Sequence, residues 1–212
     1  MKKVDRDATL LYRSYATFVQ EYVPQWVKTR IHVVVFDWDG VFTNNTELIG
    51  MSGGIGKFRS HYDGQGVSLL RAAGIEVAIA TNEKDENAAA AKFLVDKWNN
   101  LPSAKRPIEE GGWAEVKLFT GVGHVAKEQA VKKWLDESGH VYNECVAMGD
   151  DLVDLPLLNE ASVAVVPISA SRAAKKVANF ITKNPAGNGA VRDFVDFYYK
   201  VCGLDQTKVS PF

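Results

Sequence analysis

Histidine and cysteine are scarce in this chain of 212 residues, with four of the first and two of the second. Cys145 lies in an apolar, strand-like segment and Cys202 near the C-terminus, and no Cys-x-x-Cys or Cys/His cluster is present. That excludes a thiolate zinc site and points to two buried, reduced thiols. Long hydrophobic runs are missing as well. No segment approaches the roughly 18 uninterrupted apolar residues of a membrane helix, and Asp5, Arg6 and Asp7 interrupt what would have to be the apolar core of a signal peptide. Charge of one sign is not in excess either. With 25 Lys+Arg against 26 Asp+Glu the net charge is -1, so neither nucleic acid nor an anionic membrane is expected as a partner. A cytoplasmic protein is the resulting expectation.

The composition that remains, 46% hydrophobic and 24% charged, is ordinary for a globular protein, and the length suits one α/β domain with a small appendage. Leu11, Tyr15, Phe18, Tyr22 and Trp26 recur at helical spacing, which predicts an amphipathic N-terminal helix over 1–30, ended or kinked near Pro24. Its two readings are a cover for the core and a subunit contact. Beyond it, strands are predicted near 31–36, 76–80, 116–119, 145–148 and 163–166, with helices near 65–73, 86–98, 126–138 and 170–178. Such alternation specifies a Rossmann-like, doubly wound α/β fold with a mostly parallel sheet. Two stretches interrupt it: Gly50-Met51-Ser52-Gly53-Gly54 centres an inserted β-hairpin over about 46–61, and 99–113 reads as a surface excursion. Only 41 residues separate Asp39 from Thr81 and 45 separate Thr81 from Lys127. The elements predicted there use up both gaps, so no separate cap domain fits.

Chemistry-bearing residues recur where the strands end. Asp37-Trp38-Asp39-Gly40-Val41 follows Val33-Val34-Val35-Phe36; Thr81-Asn82 follows Val77-Ala78-Ile79-Ala80; Lys127 opens an amphipathic stretch; and Gly149-Asp150-Asp151, with Asp154, follows Cys145-Val146-Ala147-Met148. Groups just past the carboxyl ends of parallel strands face the ligand crevice of an open α/β sheet. Asp-x-Asp-Gly alone also makes ordinary turns; the ordered set is far more specific.

That set resembles the haloacid dehalogenase-like phosphohydrolase superfamily, whose motifs are an Asp-x-Asp, a Ser or Thr, a Lys and a late acidic pair. The resemblance implies Mg²⁺ held by Asp37, Asp150 and the backbone carbonyl of Asp39. It further implies Asp37 as nucleophile and Asp39 as general acid and base, with Thr81, Asn82 and Lys127 on the phosphoryl oxygens. Asp151 and Asp154 either cap the following helix or fix Lys127 or a metal-bound water. Lys132 and Lys133 compete with Lys127 but lie two turns into the helix, on a solvated face. His32, His124 and His140 read as ordinary edge or loop residues, whereas His61, where the hairpin returns, is a candidate substrate contact.

Asp39-Gly40-Val41-Phe42-Thr43, the hairpin, Asp63-Gly64-Gln65-Gly66-Val67 and Gly187-Asn188-Gly189-Ala190-Val191-Arg192 narrow the likeness. They resemble the capless, tetrameric branch that includes phosphatases of 3-deoxy-octulosonate 8-phosphate and of nonulosonate 9-phosphates. On that resemblance the phosphatase domain spans 31–200, with a tail over 201–212. The substrate is a phosphorylated sugar acid, and neighbouring subunits of a homotetramer close the site. Arg192 either meets the substrate carboxylate or anchors a helix through a surface salt bridge. Tyr62, where relatives commonly carry Arg, and the 99–113 excursion depart from the branch and are assigned to the substrate-choosing rim. Two other readings are a capless phosphatase of different phosphomonoesters and a non-catalytic oligomerisation domain, which need not retain the motif acids found here.

Overall fold

The computed structural model describes residues 31–49 and 55–209. The helix predicted over 1–30 and the tip of the hairpin lie outside them. In chain order the elements are β1 (Val33–Phe36), β2 (Leu48–Ile49), β3 (Ile55–Gly56), α1 (His61–Ala72), β4 (Glu76–Ala80), α2 (Ala89–Asn99) and α3 (Pro102–Lys105). There follow β5 (Lys117–Phe119), α4 (Val125–Ser138), β6 (Cys145–Met148), α5 (Leu155–Glu160), β7 (Val163–Val166), α6 (Arg172–Val177), β8 (Phe180–Ile181) and α7 (Ala190–Cys202). Six strands form one sheet in the order β5-β4-β1-β6-β7-β8, and every pairing in it is parallel. β2 and β3 make a separate antiparallel hairpin. The α/β fold, with a parallel sheet between helical layers, is the one the alternation specified.

The period of two along each strand builds both cores. Val34, Phe36, Val77, Ile79, Val146, Met148, Val163 and Val165 face a cluster shared with α1, α2 and α7. Val33, Val35, Ala78, Ala80, Ala147, Ala164 and Val166 face the opposite cluster, with Val131, Trp134 and Leu135 of α4 and Leu157 and Leu158 of α5. Alanines line that second face beside the valines, beneath Val131, Trp134 and Leu135 of α4. From β1 the chain winds outward to β4 and β5, then returns to β6 on the other side. The order reverses beside β1, and the crevice expected there opens at the carboxyl ends of β1 and β6.

Several sequence readings need correction. α1 begins at His61, four residues before the predicted start, and Ser60 caps it by accepting from the backbone N–H of Tyr62. β8 and α7 lie outside the predicted elements, although Val191, Phe194, Val195 and Tyr198 carry a helical period and are buried; α5 is the helix expected to follow Asp154. Cys145 is buried, but Cys202, in the last turn of α7, is exposed. The 99–113 excursion contains α3 and a short 3₁₀ turn over Ile108–Glu110. Asn99 donates to the carbonyl of Val116 at 3.0 Å and Arg71 Nε to that of Ala114 at 2.9 Å. Arg71 lies in the last turn of α1, Asn99 ends α2 and Val116 precedes β5, so these contacts hold the ends of the excursion at the amino-terminal edge of the sheet.

Asp63 ties the first helix to the last. Fully buried, it accepts from the backbone N–H groups of Gly189 (3.1 Å) and Arg192 (3.0 Å), while Tyr199 Oη donates to the Leu69 carbonyl at 2.6 Å. Asp63→Ala strands buried donors, and urea denaturation is expected to read a loss of about 2–3 kcal/mol; a loss below about 0.5 kcal/mol contradicts this account of the α1/α7 seam.

Candidate active site

The strand ends deliver their groups to one place. Asp37 follows β1, and its N–H continues the ladder to the Met148 carbonyl at 2.8 Å; Thr81 follows β4 and donates from its N–H to Phe119 at 2.9 Å. Lys127, in the first turn of α4, is 1% exposed. Its Nζ donates to Asp37 Oδ1 at 2.8 Å and to Asp154 Oδ1 at 2.5 Å. Asp154 Oδ2 accepts from the backbone N–H groups of Asp150 (2.9 Å) and Asp151 (3.2 Å). One carboxylate thus holds both the lysine and the turn that carries Asp150. Gly40 has φ of +81°, and a Cβ there would lie 2.1 Å from Asp150 Cγ. Only glycine permits that approach.

Burial pushes the Asp37 carboxyl above its usual range, the charge of Asp154 adds to this, and Lys127 opposes it. Asp150 is pushed up to about 7 by burial and then by Asp154 and Asp151. Burial disfavours the Lys127 ammonium, but Asp37 and Asp154 outweigh that and leave its pKa raised. Asp37, Asp150 and Asp154 each offer an oxygen within 4.8 Å of the others. Three buried acids face one ammonium, so ionising all three leaves negative charge that Lys127 alone does not balance, and the donors are all oxygen. That set fits a hard divalent cation.

Asp39 is not part of this trio. Its Oδ1 accepts from Thr43 Oγ1 at 2.8 Å and its Oδ2 from Lys57 Nζ at 2.6 Å. Glu47 and Glu83 lie 3.5 and 3.7 Å from the same Nζ. Burial lowers the pKa of Lys57, but the hydrogen bond and charge of Asp39, with the charges of Glu83 and Glu47, raise it overall. Asn45 Nδ2 donates to Asp150 Oδ2 at 3.3 Å. Sequence reasoning missed Lys57, Glu83 and Asn45. Lys57 carried no signal except its position on the returning arm of the hairpin, and Glu83 only its place two residues past Thr81.

The remaining candidates divide. Thr81 is buried, its Oγ1 accepting from the N–H of Glu83 at 3.1 Å, and Asn82 beside it is exposed, packed over Gly123. Asp151 is exposed, and its backbone carbonyl accepts from the N–H of Asp154. Lys132 and Lys133 are exposed, opposite Asp136 and Glu137. His61 and Arg192 are not brought to the carboxylates. Both line a groove of about 400 Å³ along α1, with Arg59, Gln65 and Trp98. Arg192 donates to Asp196 Oδ1 at 2.6 Å and Gln206 Oε1 at 2.9 Å, which is the salt-bridged arrangement of its two readings.

Residues 115–194 match the family model of haloacid dehalogenase-like hydrolases. The 3-deoxy-D-manno-octulosonate 8-phosphate phosphatase of Escherichia coli strain K12 is 28% identical over 184 residues, covering 84% of this chain and 85% of its own. That of Salmonella typhi is 27% identical over 179 residues, with the same coverage. Among solved structures, the 3-deoxy-D-manno-octulosonate 8-phosphate phosphatase of Moraxella catarrhalis, in complex with magnesium, phosphate and KDO, superposes with a TM-score of 0.66. It is 24% identical and covers 84% of this chain and 91% of its own.

The raised carboxyls set a pH dependence. A carboxyl whose folded pKa is raised stays protonated in the folded protein where the unfolded chain has lost the proton. Its contribution to stability is full below the unfolded carboxylate value near 4 and is lost as pH rises toward the folded value, about 7 for Asp150. With chelator present, the urea midpoint is therefore expected to fall between about pH 4 and pH 7, and added Mg²⁺ to stabilise the protein more at the upper end. A chelated protein whose midpoint stays level across that range contradicts the assignment.

Proposed function

We propose that this chain, a haloacid dehalogenase-like phosphatase of the branch resembling 3-deoxy-D-manno-octulosonate 8-phosphate phosphatase, is a Mg²⁺-dependent phosphomonoesterase. It acts through an aspartyl-phosphate on Asp37, and its substrate is a phosphorylated 3-deoxy-2-keto sugar acid, an octulosonate 8-phosphate or a nonulosonate 9-phosphate. The observation that carries the reading is the contact of the buried Lys127 ammonium with Asp37, beside the converging carboxylates of Asp150 and Asp154. It is an anionic nucleophile placed where positive charge can be gathered.

Asp37 and Asp150 would hold the metal with their side chains and Asp39 with its backbone carbonyl. Bound there, Mg²⁺ supplies the charge compensation without which an anionic carboxylate is repelled by an anionic phosphoryl group. Lys127 shares that load, and the Thr81 hydroxyl and Asn82 amide donate to phosphoryl oxygens, where negative charge gathers in the transition state. An Asp37 oxygen forms a bond to phosphorus as the bond to the ester oxygen breaks, and Asp39 gives its proton to the departing alkoxide. Water then attacks the aspartyl-phosphate, Asp39 takes the water's proton, and the Asp37–phosphorus bond breaks to release inorganic phosphate. Asp154 keeps Lys127 in place throughout.

The names of the curated relatives support the sugar-acid class. The short spacing between motifs leaves the site without a cap of its own, and Phe58 and Tyr62, 65% and 67% exposed beside the hairpin, offer apolar surface for a neighbour. A cytoplasmic homotetramer with subunits closing one another's sites completes the proposal. No helix among the described residues is long and apolar enough to cross a membrane.

Asp37→Asn is expected to lower Mg²⁺-supported phosphate release by about 10³-fold or more while the circular dichroism spectrum is unchanged. Turnover at the wild-type rate would remove Asp37 as nucleophile. Sedimentation should find a tetramer, and a fully active monomer would end the neighbour-closure idea. Against a panel of octulosonate 8-phosphate, nonulosonate 9-phosphates, simple sugar phosphates and a nucleotide, strong preference for one sugar acid is the expected result; equal rates on all four classes would contradict the substrate reading.

A further inference from the structure

Lys57 stands one residue past β3 on the returning arm of the hairpin, and its side chain is only 7% exposed. Lysine is almost never so buried without a partner. The partner is Asp39, whose two oxygens are taken from two sides: Lys57 Nζ at 2.6 Å on Oδ2 and Thr43 Oγ1 at 2.8 Å on Oδ1. Thr43 precedes the hairpin and bridges antiparallel to Arg59, which follows it. The two arms of the hairpin therefore close on a single carboxylate. Glu47, on the outgoing arm, and Glu83, past β4, flank the ammonium at 3.5 and 3.7 Å and keep it over Asp39.

We propose that Lys57 is a positioning residue for the phosphatase reaction, holding the Asp39 carboxyl in the one orientation from which it reaches the ester oxygen, so that the hairpin serves the chemistry of its own subunit. The proposal rests on the reading of Asp39 as general acid and base. A side chain free to rotate about two torsions spends much of its time misplaced, and misplacement of about 1 Å can cost as much as 10²-fold in rate. Thr43 alone leaves Oδ2 unheld. A purely structural ion pair, by contrast, would tie the hairpin down without regard to which bond is being broken.

The leaving group separates the two. A sugar alkoxide needs a proton as it departs; p-nitrophenolate is stable without one. Mg²⁺-loaded wild type, Lys57→Met, Lys57→Arg and Asp39→Asn would be assayed for kcat and KM on octulosonate 8-phosphate and glucose 6-phosphate as alkyl esters and on p-nitrophenyl phosphate. Lys57→Met is expected to lower kcat on the alkyl esters about tenfold or more, with KM changed less than about threefold, and to lower p-nitrophenyl phosphate turnover less than about threefold. Lys57→Arg should recover most of the loss. Activity on the aryl ester doubles as the check that the variant is folded. Equal losses on both ester classes, or no loss on either, overturn the proposal. If Asp39→Asn discriminates between the esters and Lys57→Met does not, Lys57 fails alone. If Asp39→Asn itself does not discriminate, the acid role of Asp39 falls and the proposal falls with it.

Discussion

A buried ammonium between two buried carboxylates organises this molecule. Lys127 reaches Asp37 on one side and Asp154 on the other, and all three are almost wholly removed from water. Burying a charge costs several kcal/mol unless it is paired and hydrogen-bonded, so these side chains can be accommodated only together. Their carriers are far apart in sequence: the end of β1, the first turn of α4 and the turn after β6. The contact therefore fixes how α4 sits over the sheet. It also explains why Asp154, whose second oxygen grips two backbone N–H groups, belongs to the frame of the site.

The two faces of the sheet differ. The face toward α4 and α5 is lined with alanine beside valine, and a lysine in the first turn of α4 reaches the end of β1. The other face carries Phe36, Ile79 and Met148 and is covered by α1, α2 and α7. Asp63 joins α1 to the start of α7. The site stands at the carboxyl edge, where the strand order reverses, while Arg71, Asn99 and the 99–113 excursion stabilise the opposite edge. Reaction chemistry and much of the irregular structure are thus kept at opposite ends of the sheet.

Two acids two residues apart lead different lives for the same reason. The Asp37 side chain turns inward, against Lys127 and toward Asp150. The Asp39 side chain turns to the hairpin, where Thr43 and Lys57 take its two oxygens. The proposed roles of nucleophile and proton carrier call for such a difference, and the tight turn at Gly40, closed against Asp150, makes room for both side chains.

Much of this was legible in the chain. Val33-Val34-Val35-Phe36 and Cys145-Val146-Ala147-Met148 announce buried parallel strands, and polar residues directly after such runs mark Asp37, Thr81 and Asp150, because a strand's end and its next residue are local facts. The short intervals between motifs rule out a separate cap by length alone. What periodicity cannot give is which distant groups meet. Lys57 is an unremarked lysine until the hairpin folds back over Asp39; His61 and Arg192, plausible at the site by order along the chain, lie together in a groove along α1; the excursion could be assigned to either edge until Asn99 and Arg71 pinned it. Strand identity and motif chemistry follow from side-chain type and spacing, so the amino-acid sequence determined them. The pairing of charges across the sheet depends on three-dimensional packing and on the cost of leaving a buried charge alone, and only the tertiary structure decided it.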